Sequence, residues 1–209
     1  MKLARRSVNV LSLLAIVFAG CFGDKPAPAQ NQGAPPENRV AKMLDGLRVV
    51  PPSERPGPDG KTYFAVGRLE AAIPPGWSTL RIAGQTKYMG PGGQESIQVF
   101  AYTSEAAMDE TRQHEVLAAL NQIGATGEHV IGRFAHVTLS QPTEGKTPWG
   151  SDIRFSAIGP MNRMAFHYAT AGAHEAVMVQ MDGNNLENTP AHAVALIKSF
   201  RYLDDKPAR

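Results

Sequence analysis

Between residues 128 and 183 the chain is cut into strand-length pieces, and this segmentation limits the possible folds more than any other sequence feature. The runs "EHVIGRFAHVTLS", "SDIRFSAIG", "RMAFHYATA" and "EAVMVQMDG" carry β-branched and aromatic residues and are joined by turn-forming segments. Connections of these lengths are antiparallel hairpins. Upstream, "TYFAVGRLEAAIPPGW" reads as one or two strands ending at Pro74-Pro75-Gly76, where φ is fixed and then freed. "ESIQVFAYT" (Glu95–Thr103) alternates Ile97, Val99 and Ala101 with Gln98, Phe100 and Tyr102, the pattern of a central strand covered on both faces.

Two helices fit between and after these strands. One is expected from Ser104 to Ile123, capped by Thr103 or Ser104, with Val116, Leu117, Leu120 and Ile123 as its apolar face and Gly124 as its end. The other begins at Thr189 with Pro190 in its first turn, and turns Val194, Ile197 and Phe200 to the core. Together these elements predict the α+β class: an antiparallel sheet packed against helices, in one domain spanning residues 61–203. Residues 204–209 are a flexible tail. About 140 residues suffice for one core that buries roughly two-thirds of the unfolded surface.

The order of segments resembles the PsbP-like fold family. An "IPPGW"-type segment follows a first strand (Ile73–Trp77), a strand–helix unit comes next (Glu95–Ile123), antiparallel strands fill 129–181, and the last helix ends in "SF" at Phe200. The resemblance implies a PsbP-like sandwich with no conserved catalytic set, and accessory or assembly roles for many members.

The N-terminal region carries a different message. Lys2, Arg5 and Arg6 precede the apolar run "VNVLSLLAIVF" (Val8–Phe18), then come Ala19, Gly20 and Cys21, the one cysteine in 209 residues. The run is too short to span a bilayer, which takes about 20 residues, but suits a signal peptide over 1–20. "FAGC" resembles the lipobox of bacterial lipoproteins, with Phe18 where an aliphatic residue is usual. That resemblance implies that Cys21 is lipidated and becomes the new N-terminus. Several acyl chains, each buried methylene contributing ~0.8 kcal/mol, hold a protein where one chain holds marginally. Phe22 stands where an aspartate would favour inner-membrane retention in enterobacterial lipoproteins, which points to the outer membrane, facing the periplasm.

Residues 21–60 are expected to be a disordered, proline-rich tether that includes one short helix at Arg39–Leu47, with Val40, Met43, Leu44 and Leu47 on one stripe. "VVPPSERPGPDGK" reads as loop. Without residues 1–20 the chain holds 18 basic against 19 acidic residues, a balance that argues against a nucleic-acid partner, since phosphate binding needs a basic face.

Candidate chemistry is sparse. Gly60-Lys61-Thr62 and Gly145-Lys146-Thr147 lack the second glycine of a phosphate loop and read as turns. Met161, Met164, His167, His174, Met178 and Met181 form the one metal-like cluster; thioether and imidazole suit Cu(I), although period-2 alternation sends i and i+3 to opposite faces of a strand. Core packing is the competing role for the methionines. Trp77 and Trp149 flank turn residues and could line a ligand groove. No nucleophile elbow or zinc spacing occurs. The expected function is therefore a membrane-anchored envelope lipoprotein, non-catalytic and cofactor-free, that binds or assembles with a protein partner. The alternatives are a periplasmic copper-binding protein using Met and His, or a cell-wall hydrolase with a tryptophan at its cleft.

Overall fold

A computed structural model describes residues 36–57, 59–82, 85–125, 138–159, 163–185 and 187–203. The expected signal peptide, Cys21, Met161 and most of "EHVIGRFAHVTLS" lie outside the described residues. Among the described residues no helix is long and apolar enough to cross a membrane.

Chain order is α1 (Pro36–Met43), β1 (Leu47–Val49), β2 (Ser53–Pro56), β3 (Thr62–Val66), β4 (Leu69–Ala72), β5 (Ser78–Ile82), β6 (Gln85–Met89), a short 3-10 turn (Pro91–Gly93), β7 (Glu95–Ser104), α2 (Glu110–Ala125), β8 (Thr138–Leu139), β9 (Thr143–Thr147), β10 (Gly150–Ile158), β11 (Met164–Ala171), β12 (Glu175–Gly183), α3 (Asn188–Lys198) and β13 (Arg201–Tyr202). The class is α+β, with antiparallel sheets packed against helices. Among the described residues the larger sheet has nine strands in the order β5-β6-β7-β12-β11-β10-β8, with β1 on β7 and β9 on β10; the smaller has the order β13-β4-β3-β2.

β7 is central, as its alternation predicts. It pairs with β12 over its length from Glu95 to Thr103, and with β6 and β1 on its other side. The two faces of the large sheet carry separate cores. Ile97, Val99, Val177, Val179, Met181 and Tyr168 pack under α3 and the small sheet. Tyr102, Ile153, Ala169, Ala171, Ala176 and Met178 pack under α2 through Val116, Leu117 and Leu120.

Several boundaries differ from the sequence expectation. The short helix starts earlier, at Pro36, and stops at Met43, because Gly46 turns with φ 78° and Leu47 then pairs with Ser104. Its apolar stripe still docks, with Leu44 and Leu47 against the α2 core. "VVPPSERPGPDGK" is not all loop: Ser53–Pro56 pairs with β3, so residues 47–56 belong to the folded domain and not to the tether. Proline is tolerated there because β2 is an edge strand. α2 starts six residues later than expected, since Ser104 and Met108 give their backbone N–H groups to the carbonyls of His174 and Ala173. Asp109 caps it, its carboxylate accepting from the Arg112 N–H at 2.8 Å. Gly145-Lys146-Thr147 lies in β9, not in a turn. In α3 the capping side chain is Asn185, which accepts from the N–H groups of Glu187 and Asn188. Val194 is 49% exposed; Ala193 and Leu196 face the core in its place.

Glu70 ties the ends of the domain together. Its side chain is fully buried on β4, and accepts from Arg55 of β2 and Arg201 of β13. Arg201 also lies over the Tyr63 ring at 4.4 Å.

Candidate functional site

The segment Ile73–Trp77 leaves the small sheet at Ala72 and enters the large one at Ser78. Pro74 and Pro75 deny this stretch regular pairing, Gly76 turns with φ 78°, and the Trp77 N–H reaches back to the Pro74 carbonyl. The turn throws the indole against Gly90. A Cβ at that position would come within 3.1 Å of the ring, so a larger residue at 90 would press the indole aside by a few tenths of an ångström. α3 approaches from the other side, and its His192 meets Trp77 edge to face at 6.1 Å.

These elements enclose a cleft of about 320 Å³, with Trp77, Pro74, Pro75, Pro91, Leu196 and His192 in its walls. A second cleft of about 320 Å³ shares the Trp77–Pro74–Pro75 wall and runs towards Glu54 and Thr79. Trp77 is half-buried, as an aromatic anchor with one apolar body and an accessible edge must be.

The polar groups at this site are mostly tied up. Glu95 accepts from the Thr189 hydroxyl at 2.7 Å and lies 2.9 Å from His192 Nδ1, so it orients the imidazole with Nδ1–H towards the carboxylate. Ser199, the hydroxyl nearest the apolar wall, donates to the Leu196 carbonyl at 2.7 Å and accepts the Ala72 N–H at 2.9 Å. A hydroxyl so used is a structural pin, not a nucleophile awaiting a base. Lys61 at the rim sits 3.0 Å from Asp59. The site therefore offers an aromatic and proline surface with an oriented imidazole, the composition of a binding cleft.

The two tryptophans named from sequence are not equivalent. Trp149 is half-buried, packs against the α3-side core and gives its indole N–H to Thr170 at 2.9 Å. Thr170 passes the chain on to the Ser151 carbonyl, so Trp149 buttresses the β9–β10 turn.

The Met/His cluster is divided by the sheet. Met164 and Met181 point to the α3 side, where Met181 lies opposite Phe166. His167 and Met178 share the α2 side. His174 is exposed in the β11–β12 hairpin, 3.2 Å from the Ser104 carbonyl. The described members thus do not converge, for the alternation reason already given. Among the described residues no group of three His, Cys, Asp or Glu is placed to hold a metal ion.

Sequence reasoning missed the Glu95–His192 pair. The two residues are 97 apart and join only through the β7–α3 packing; nothing local announces them.

No protein-family model matches the chain, and no curated protein matches it. Solved structures of similar shape include the solution structure of cyanobacterial PsbP (CyanoP) from Synechocystis, with TM-score 0.49 and 8% identity over 85% of this chain and 98% of that one. A crystal structure from Bacteroides thetaiotaomicron has TM-score 0.38 and 8% identity, over 73% of this chain and 48% of that one. The extracellular domain of PknH from Mycobacterium tuberculosis has TM-score 0.33 and 9% identity, over 77% of this chain and 89% of that one. None of these likenesses brings an activity, ligand or partner to this chain.

Proposed function

We propose that the chain is a lipid-anchored protein of the bacterial envelope whose α+β domain binds a partner through the Trp77 cleft and performs no chemistry. The anchor reading rests on the charge–apolar–small–Cys21 order, and the outer-membrane, periplasm-facing reading on Phe22 in place of an aspartate after the cysteine. The binding role rests on one observation: a half-exposed indole walled by three prolines, beside hydroxyl and carboxylate groups that already have partners. Aromatic side chains in such settings supply large contact area at small entropic cost.

The test is a pull-down from membranes with the intact lipidated protein and with Trp77→Ala. A partner retained by the parent and lost by the variant, at unchanged melting temperature, supports the proposal. A purified chain that turns over a substrate, and stops doing so on a single substitution, would replace it with an enzyme.

A further inference from the structure

A second polar constellation lies under α2, on the opposite face of the large sheet from Trp77's partner helix. His167 and Gln180 stand directly across from each other on β11 and β12, and are 2% and 0% exposed. Directly paired residues of an antiparallel sheet point to the same face, with Cβ atoms about 4.5–5.5 Å apart. Phe155 from β10 stacks on the imidazole at 4.2 Å with its plane tilted by only 3°. α2 closes over this row at Gly124, where a Cβ would fall 2.8 Å from His167 Nδ1. One turn earlier on the helix is Asn121; two residues further along β12, on the Gln180 face, is Asp182.

Buried polar atoms are normally paired. In this layer both ring nitrogens of His167, both amide atoms of Gln180, Asn121 Oδ1 and Asp182 Oδ1 are buried and without a hydrogen-bond partner. Each such atom costs stability, and apolar residues of the same shape would not. A sequence that keeps them together in one row has a use for them.

We propose that this layer is a binding site for a small neutral molecule carrying hydroxyl groups, held by Gln180 and His167 and flanked by Asn121 and Asp182. The row mixes donors and acceptors: the Gln180 amide offers both side by side, a neutral imidazole offers one of each, and Asn121 Oδ1 accepts. A hydroxyl rotates to serve either kind, whereas a group with only donors or only acceptors leaves part of the row unmet. Charge is disfavoured. Burial lowers the His167 pKa to about 4, so the ring is neutral, and it raises Asp182 to about 7 against the pull of Lys87 and Arg163. At neutral pH the ring carries no charge and the Asp182 carboxyl is only about half ionised, so an ion would find no full counter-charge in the row.

Calorimetric titration of the full chain with glycerol, inositol and glucose tests this, alongside Gln180→Leu and His167→Phe. One of the three is expected to bind the parent, with at least about tenfold weaker binding by each variant, as loss of a well-made buried hydrogen bond requires. Both variants should melt no lower than the parent, since each removes unpaired atoms. A crystal structure of the parent soaked in the bound polyol should show its hydroxyls within hydrogen-bond distance of the Gln180 amide and the His167 ring nitrogens. Absence of heat with all three, equal binding by the variants, or ordered water alone in the soaked layer would overturn the proposal.

Discussion

The Arg55–Glu70–Arg201 clasp gives the sharpest quantitative expectation. Glu70→Gln keeps the shape of the side chain and removes its charge. The Glu70 side chain is fully buried, while the two arginine side chains are 40% and 43% exposed, so solvent screens the arginine side of each pair. A charge-assisted hydrogen bond contributes about 1.5–3 kcal/mol. Taking the low end for two partly exposed partners, and allowing glutamine to keep one acceptor, the loss is about 2–3 kcal/mol. A domain of this size shifts by about 2–4 °C per kcal/mol, which puts the fall in Tm at about 4–12 °C. Thermal unfolding followed by circular dichroism measures it, and Arg55→Ala and Arg201→Ala in double-mutant cycles apportion it. The carboxylate already pushes the Arg201 guanidinium upwards, consistent with a strong pair. A fall below about 2 °C, or cycles showing no coupling, would refute the view that one buried charge joins β2, β4 and β13.

Four further outcomes are expected. His167 and Asp182 give opposing pH dependences. His167, lowered from 6.5 to about 4, makes the protein lose stability as pH falls from 6.5 to 4; Asp182, raised from 3.8 to about 7, makes it lose stability as pH rises from 4 to 7. In the parent these nearly cancel, so chemical denaturation of Asp182→Asn should show stability rising across pH 4–6.5, and His167→Phe should show it falling, each by at most ~1.4 kcal/mol per unit. Gly124→Ala gains up to about 1 kcal/mol of helix propensity but crowds His167 and Phe155, for a net loss of about 1–2 kcal/mol in urea unfolding. A chain begun at Lys61 lacks β1, β2 and Arg55 and should melt well below one begun at Pro36. Cys21→Ser should move the protein from the membrane to the soluble fraction, read by fractionation and by mass spectrometry of the mature N-terminus.

Strand-period alternation carried most of the fold. "ESIQVFAYT" identified β7 as central, and the same period correctly warned that Met178 and Met181 would part company. Helix limits were less legible, because they depend on distant acceptors. Thr103 and Ser104 look like good caps, but the Ser104 N–H is already given to the His174 carbonyl, and the helix waits for Asp109. Gly124 reads as a stop signal and serves as a gap for an imidazole 43 residues away in sequence. β2 was hidden by Pro56 within it and Pro51-Pro52 before it; an edge strand accepts a proline when the missing N–H faces outward. At the cleft, Trp77 was visible as a tryptophan after a proline turn. His192 and Glu95 were not, since no periodicity couples a strand's first residue to a later helix.

Placing both the early strand β2 and the late strand β13 on one carboxylate also decides how the domain meets force. Tension arriving from the N-terminal side, where the proposed anchor lies, first strains the docking of α1 on α2 and then β1, which pairs over Leu47–Val49. It next reaches Arg55, gripped from inside by Glu70, before any of it falls on β3. The fringe from α1 to β2 therefore carries such a load before the broad sheet beneath α2 and α3 does.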